Sequence, residues 1–290
     1  MESRKTLLIT NLQALRAFAA VGVVFYHTAF VIPGCIHTDF DGVMIFFVMS
    51  GFIMTYITRS KDEKFLTSRL IRIVPIYWIA TIFVFLFGGL GFTNPTYTFP
   101  LWWHFLWTSP AELVRWFSHQ TAALFTREAV IHLLTSMLFI PTTEPPFLGV
   151  GWTLNIEIFF YVVFWLALKV SRRFAPLIAC VTLIVFKLPP LRDIGAWGAL
   201  YGHGYTWGFI FGVGAYYAWA WFDESNARVS NGAVYAANGV CWFIFLAACL
   251  KKWPIPDISL VIGLVFGALA TPVVFGALAM HSRGARVSSA

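Results

Sequence analysis

The sequence carries very little charge for its length. Only 11% of its 290 residues are charged, whereas 59% are hydrophobic and 18% are aromatic. Soluble domains carry roughly 25% charged residues, which keep a water-facing surface solvated. The shortage argues against a soluble enzyme and predicts an all-α, polytopic helical bundle embedded in a membrane.

Several signatures of soluble chemistry are also missing. The four cysteines show neither disulfide nor zinc-ligand spacing, and no His-x-x-x-His pattern occurs, so we predict no metal. The sequence has no Walker loop and no Gly-x-Ser-x-Gly elbow, which argues against an ATP-driven transporter and a serine hydrolase. The net charge of +7 arises from basic clusters expected in cytoplasmic loops, and nucleic acid is not predicted as a partner.

Long apolar runs are plentiful, and most approach the roughly 20 residues that one bilayer crossing needs. They predict spans at approximately 12–32, 42–58, 73–92, 150–168, 174–190, 199–221, 232–250 and 258–280. Basic clusters before the first span and in alternate connections place the N-terminus in the cytoplasm. Region 93–149 must then cross an even number of times. Two short or tilted helices near 101–107 and 129–140 are favoured over none, which gives 8–10 spans.

The first predicted span contains two ionisable residues, which are costly inside a bilayer and mark functional sites by default. Arg16 and His27 are eleven residues apart, so a helix turns through about 1,100° and rises about 16 Å between them. Both are expected on one face, with Arg16 near the cytoplasmic end and His27 in the outer half. Taken singly, Arg16 could be a snorkelling anchor and His27 a core histidine bonded to a backbone carbonyl. Their common face favours a site.

Glu157 is an ionisable group in another predicted span. It lies about seven residues into the span that begins near 150, roughly 10 Å below the outer surface. A carboxylate at that depth is expected to be protonated or partnered. A contact between His27 and Glu157 would satisfy both groups and would orient the imidazole as a general base.

Arg69 and Arg72 open the third predicted span. Residues three apart on a helical turn face the same way, and two guanidinium groups at the cytoplasmic surface make a fork suited to phosphate oxygens. Ordinary positive-inside charge is the alternative explanation for both residues.

Four sequence blocks together resemble the acyltransferase-3 family of membrane O-acyltransferases. They are the arginine, ten-residue gap and histidine of Arg16 and His27, the segments FFVMSGFI at 46–53 and RLIRIVPIYW at 69–78, and GWTLNIE at 151–157 followed by Phe160 and Tyr161. The segment SMLFIP at 136–141 is similar to the branch that acetylates exopolysaccharides such as succinoglycan. Met44 departs from the family pattern, which usually has an acidic residue there.

The resemblance implies one acyltransferase-3-like membrane domain over residues 1–290, multi-pass in the bacterial cytoplasmic (inner) membrane. The C-terminus is short for the family, which leaves open whether a final span is missing. The implied donor is acetyl-CoA, although succinyl transfer stays open. The implied acceptor is a polysaccharide or a lipid-linked oligosaccharide, and membrane lipid surrounds the spans.

The resemblance and the spacing together suggest roles for the five residues. Arg69 and Arg72 would hold CoA phosphates, and Arg16 would lie nearer the pantetheine or the thioester. His27 would deprotonate the acceptor hydroxyl or carry the acetyl group, and Glu157 would orient His27. The alternatives are a transporter or flippase for lipid-linked sugars, with the same residues forming a proton or substrate path, and a structural subunit of an export complex.

Overall fold

The computed structural model describes residues 2–28, 42–58, 64–89, 95–224 and 231–250, with a few helical residues between 267 and 274. Within these ranges, the side chains of residues 2–11, 26–28, 65, 88–89, 95–99, 222–224, 231, 233–235 and 248–250 lie outside the description. Most of the predicted span at 258–280 also lies outside it.

Helices are the only regular elements in the described ranges, apart from short 3₁₀ turns at Leu191–Asp193 and Gly204–Thr206. The α-helices are α1 (Glu2–Thr28), α2 (Gly42–Thr58), α3 (Phe65–Gly89), α4 (Pro95–Thr108), α5 (Pro110–Leu124), α6 (Arg127–Met137), α7 (Gly151–Val170), α8 (Ala175–Val185), α9 (Gly195–Tyr201), α10 (Trp207–Glu224) and α11 (Asn231–Leu250). The predicted all-α class is confirmed for this part of the chain.

Two of the described helices are long and apolar enough to cross a membrane, namely Leu66–Phe87 within α3 and all of α7. Shorter apolar helices lie in α1, α2, α8 and α11. On α3, Ile71, Ile76 and Ile79 are 69–70% exposed, and a soluble protein rarely leaves so much contiguous apolar surface uncovered. Lipid is the solvent that suits this face. The number of crossings and the orientation of the termini stay predictions.

Region 93–149 contains one more helix than the sequence predicted. The expected pair corresponds to α4 and α6, and α5 lies between them. Hydropathy does not predict helix α5, because the helix is amphipathic and polar. It carries an exposed ion pair in which a guanidinium nitrogen of Arg115 lies 2.7 Å from a carboxylate oxygen of Glu112. Helix α6 begins where the Thr126 hydroxyl accepts the Ala129 N–H at 3.3 Å, which satisfies one of the free amides of its first turn.

The predicted spans at 174–190 and 199–221 are interrupted in the structure. Helix α8 ends at Val185, and α10 begins only at Trp207. Between them Lys187 is buried, and its Nζ donates to the His203 carbonyl at 2.8 Å and to Thr206 Oγ1 at 2.6 Å. A buried ammonium needs such acceptors, and they come from a turn that breaks the helix. Apolar length alone could not reveal this bonding.

The described residues form two compact units, and the division falls within α7. The first unit comprises Met1–Asp62, Val163–Ile194 and Tyr201–Ala290, and the second comprises Glu63–Val162 and Gly195–Leu200. Each unit has its own packing.

In the first unit, α2 packs closely on α10 through glycines. A Cβ at Gly212 would collide with the Val48 carbonyl oxygen, and one at Gly51 would collide with the Phe209 carbonyl oxygen. Small residues of this kind let helix backbones approach closely in membranes. Met44, at the position where the family pattern is usually acidic, is fully buried in this core. It therefore serves as a packing residue here.

In the second unit, α3 holds the end of α6 and the start of α7. The Tyr77 hydroxyl donates to the Ser136 carbonyl at 3.0 Å, and Trp78 Nε1 donates to the Met137 carbonyl at 2.9 Å. A Cβ at Gly151 would lie 2.7 Å from the Tyr77 hydroxyl, so a larger residue there would displace the Tyr77 ring. Tyr77, the central residue of the 25-residue α3, thus fixes where α7 begins.

Candidate functional site

Glu157 lies on α7 with a phenol as its neighbour. Tyr161 follows one turn later on the same helical face, and its hydroxyl donates to a Glu157 carboxylate oxygen. Tyr161 is 1% exposed, whereas Glu157 is only partly buried. The partner expected for a carboxylate at this depth is therefore supplied at least in part by the helix itself.

Arg69 contacts the ring of the same tyrosine. Its guanidinium carbon lies 5.9 Å from the centroid of the Tyr161 ring, within the range of a cation–π contact. The structure thus links two of the five predicted site residues, Arg69 and Glu157, through Tyr161. Hereafter these three residues are called the Tyr161 cluster.

The contacts also fix the register of α7 against α3. Gly151 lies beside Tyr77, whereas Tyr161 lies beside Arg69 near the beginning of α3. The two helices therefore run antiparallel along the half of α3 that carries the arginines. The depth predicted for Glu157 was counted from the outer surface, where α7 was expected to begin. In the structure, α7 begins beside the middle of α3. Glu157 is consequently nearer in depth to Arg69 than the sequence predicted.

The predicted arginine fork has two unequal members. Arg69 is partly buried against Tyr161, whereas Arg72, one turn further along α3, is exposed. Arg69 thus belongs to the Tyr161 cluster through its contact with the tyrosine ring. Arg72 is accessible to a bulky anionic ligand, and both remain on the first turns of α3 as the spacing predicts.

Arg16 and His27 lie on one uninterrupted helix, α1. The continuous helical path that their eleven-residue spacing requires is therefore present. Arg16 is partly buried beside Leu12, Leu15 and Ala19, which belong to the core of the first unit. The side chain of His27 lies outside the described residues, and a contact between His27 and Glu157 stays a prediction.

No group of three or more His, Cys, Asp or Glu side chains in the described part of the chain could hold a metal ion. The absence of a metal site stays a prediction for the whole protein. The described chemistry is that of a carboxylate, a phenol and a guanidinium group within a helical, membrane-type bundle.

These features define a helical protein of the membrane type with an ionisable cluster among its apolar helices. The family model described as "Acyltransferase domain", that of the acyltransferase-3 family, matches residues 9–287. The chain therefore belongs to this family, as its sequence blocks predicted.

Two curated relatives are similar to parts of the chain. The "Exopolysaccharide production protein ExoZ" of Rhizobium meliloti (strain 1021) is 33% identical over 141 residues, which are 46% of this chain and 35% of the relative. "Nodulation protein 10" of Rhizobium leguminosarum bv. viciae is 30% identical over 183 residues, which are 56% of this chain and 45% of the relative. The matched segments thus span less than half of either relative. No solved structure matches the chain.

Tyr161 is the residue of this site that the sequence did not identify as functional. Changing Tyr161 to Phe keeps the ring beneath Arg69 and removes the hydroxyl that Glu157 accepts. Because a hydrogen bond to a charged group contributes about 1.5–3 kcal/mol, we expect acyl transfer to fall roughly 10- to 100-fold. The measurement is kcat/KM with labelled acyl donor on purified protein.

A matched control is Tyr217→Phe, which removes a hydroxyl from an exposed position on α10. Equal activities of Tyr161→Phe and Tyr217→Phe would show that the Tyr161 hydroxyl does not support the reaction.

Proposed function

We propose that this protein is a membrane O-acetyltransferase. It transfers an acetyl group from acetyl-CoA to a hydroxyl of a bacterial exopolysaccharide or of its lipid-linked precursor, and it works in the cytoplasmic (inner) membrane as one multi-pass domain. The observation that carries the proposal is the Tyr161 cluster, in which a carboxylate and a guanidinium group meet on one tyrosine within an acyltransferase-3 chain. The word "exopolysaccharide" in the name of one relative supports the acceptor class.

The reaction balances as an ester exchange. His27 accepts the proton of the acceptor hydroxyl, whose oxygen attacks the thioester carbonyl of the donor. A carbon–oxygen bond forms, the carbon–sulfur bond breaks, and the CoA thiolate leaves and takes up the proton from His27. An acetyl group carried transiently on His27 is the two-step version of the same exchange.

The remaining residues position the donor and the base. Arg69 and Arg72 bind the phosphates of CoA, because guanidinium groups pair bidentately with phosphate oxygens. Arg16 lies nearer the pantetheine arm or thioester. It is about 16 Å along α1 from His27 by helix geometry, a distance comparable to the reach of an extended pantetheine arm. Glu157, which Tyr161 holds near Arg69, orients the imidazole of His27. This role requires His27 to lie at the level of the Tyr161 cluster.

Arg69→Gln and Arg72→Gln are expected to raise the KM for acetyl-CoA, each by about tenfold, because each removes charge-assisted hydrogen bonds to phosphate. Arg69→Gln should also lower kcat, since it alters the Tyr161 cluster, whereas Arg72→Gln should not. The measurement is initial rate against donor concentration. Arg127→Gln, at the exposed start of α6, is the matched control. If the KM for acetyl-CoA were unchanged in all three variants, Arg69 and Arg72 would be ordinary positive-inside charges that only orient the protein in the membrane.

The function itself is tested by the O-acyl content of the exopolysaccharide from cells with and without the protein. We expect polymer of normal yield that has lost its O-acetyl groups. Loss of exported polymer, or accumulation of its lipid-linked precursor, would instead indicate a transporter or flippase. Polymer with normal O-acetylation would contradict the proposed function.

A further inference from the structure

A cavity lies at the beginning of α7 in the second unit. It has a volume of about 220 Å³, is open to the surface on one side, and is bounded by the loop 140–146, the end of α6 and the first turns of α7. Most of its accessible wall is apolar, and the polar residues among its lining are Ser136, Thr142, Thr143, Glu144, Trp152 and Asn155. We call it the loop cavity. None of the five predicted site residues lines it.

Asn155 is the feature of the loop cavity that points to a ligand. Its side chain is only 4% exposed, and its Oδ1 is buried without a hydrogen-bond partner among the described residues. Buried polar atoms are nearly always bonded, and an exception indicates a water or a ligand. Trp152 lies one turn before it on the same face of α7 and lines the same cavity.

The position of the loop gives an independent reason for a polar occupant. Phe139, just before the loop, stacks on Tyr77 at the middle of α3, with ring centroids 4.8 Å apart. Phe147, just after the loop, lies against Phe85 further along the same helix, with ring centroids 5.2 Å apart. Helix α3 is long and apolar enough to span a membrane. Non-helical backbone at membrane depth is tolerated where it lines a water-filled cavity or is buried in protein. Thr142 and Thr143 are exposed, and their hydroxyls suit a loop that lines a water-filled cavity.

The wall of the cavity is held by its own hydrogen bonds. Ser136 Oγ accepts the Phe147 N–H at 3.3 Å, and His132 Nε2 donates to the Pro145 carbonyl at 2.9 Å. The Thr142 hydroxyl donates to the Glu144 carbonyl at 2.8 Å. A wall fixed in this way binds a ligand with little ordering cost.

Size and chemistry narrow the class of ligand. The cavity is smaller than the roughly 300–1,000 Å³ of sites for drug-sized ligands, so it suits a single ring. Hydroxyl and amide groups bind a ligand rich in hydroxyls, and the apolar body of Trp152 suits the C–H face of a sugar ring. Glu144 is the one charged residue in the described wall, and it disfavours an anionic sugar.

We propose that the loop cavity binds one neutral hexose ring of the acceptor glycan, with Asn155 as the central hydrogen-bonding group. This inference rests on the proposed function, because it assigns part of that acceptor. Asn155 and Glu157 are two residues apart, about 200° around the helix, so they face nearly opposite sides of α7. The bound ring is therefore a different ring from the one that reacts. Asn155 recognises the acceptor and does not take part in the chemistry.

Asn155→Leu tests the assignment, because leucine has a similar size and no hydrogen-bonding group. We expect the KM for a polymeric acceptor to rise about fivefold, the effect of one neutral hydrogen bond, with kcat unchanged. The melting temperature should not fall, because the variant removes a buried polar atom that has no partner. Asn238→Leu is the matched control, since Asn238 is a buried asparagine of α11 outside the cavity. That control should leave the acceptor KM unchanged.

Binding is measured separately from catalysis, with methyl glucopyranoside and methyl galactopyranoside as probes and methyl glucuronide as the charged comparison. Saturation-transfer NMR on the full chain in nanodiscs suits weak ligands and avoids detergents with sugar headgroups. We expect a signal from at least one neutral glycoside that Asn155→Leu weakens about fivefold. Glu144→Gln should reduce the preference for the neutral glycosides over methyl glucuronide about threefold. Glu128→Gln, an exposed control on α6, should leave this preference unchanged.

The outcomes separate this proposal from the proposed function. Glycoside binding that depends on Asn155, in a protein that transfers no acetyl group, would support the cavity and contradict the enzyme. The proposal would be overturned if the wild type transfers acetyl groups but gives no glycoside signal. It would also be overturned if the wild type and Asn155→Leu have identical KM values for the acceptor. In either case the cavity would only hold water. A lowered melting temperature of Asn155→Leu together with an unchanged KM would also overturn it.

Discussion

Changing His27 to Ala is expected to abolish acyl transfer while leaving the protein inserted in the membrane. A positioned general base contributes about 10²- to 10⁴-fold to a reaction rate, and a histidine that carries the acetyl group would be indispensable. The fall in kcat should therefore reach at least about 100-fold, with little change in the KM for acetyl-CoA. The measurement is transfer of labelled acetyl to glycan by purified protein.

His119→Ala is the control for this variant, since His119 is an exposed histidine on α5. It should retain wild-type activity. Normal activity of His27→Ala would end the assignment of His27 as base or carrier. It would also remove the reason for placing Glu157 near His27, and the Tyr161 cluster would then have to act without an imidazole.

Changing Gly212 to Val is expected to separate α2 from α10 and to destabilise the first unit severely. The added Cβ would meet the Val48 carbonyl oxygen and would lie 2.8 Å from the Phe52 nitrogen. These are backbone atoms, which cannot rotate away as a side chain can. Overpacking a core costs typically 1–3 kcal/mol, and we expect this change to reach at least about 3 kcal/mol. Thermal unfolding in detergent, followed by size-exclusion chromatography, measures the loss.

Gly214→Val on the same helix is the matched control. Gly214 is exposed, and beyond its own stretch of helix a Cβ there would meet no heavy atom within 4 Å among the described residues. It makes the same change of residue without the collision, so its melting temperature should stay near that of the wild type. Equal melting temperatures for the two variants would contradict the close packing of α2 on α10.

The sequence was most informative where a pattern repeats over a long helix. The spacing of Arg16 and His27 requires one continuous helix, and α1 supplies it. The block at 151–157 begins a helix within a residue of the predicted boundary, since α7 starts at Gly151. Hydropathy and helical periodicity are local properties, and they can be read from neighbouring residues alone.

The sequence was less informative where tertiary contacts decide the structure. Lys187 donates hydrogen bonds to the turn at 203–206, and this turn interrupts the apolar segment predicted as a span at 199–221. The register of α7 on α3 depends on Tyr77 and Gly151, which are 74 positions apart. Glu157 was found from its charge, but its link to Arg69 through Tyr161 combines helical spacing with a contact between helices. Of these, only the i, i+4 spacing of Glu157 and Tyr161 could have been read in advance.

The central claim is that the membrane domain itself performs acyl transfer. The most direct measurement is the incubation of the purified protein in detergent with acetyl-labelled acetyl-CoA and the exopolysaccharide or its lipid-linked precursor. We predict label in the glycan with release of an equal amount of free CoA, and loss of both in His27→Ala. Unlabelled glycan and intact acetyl-CoA, from protein that is folded and that moves lipid-linked sugar across sealed vesicles, would contradict the claim and identify a transporter.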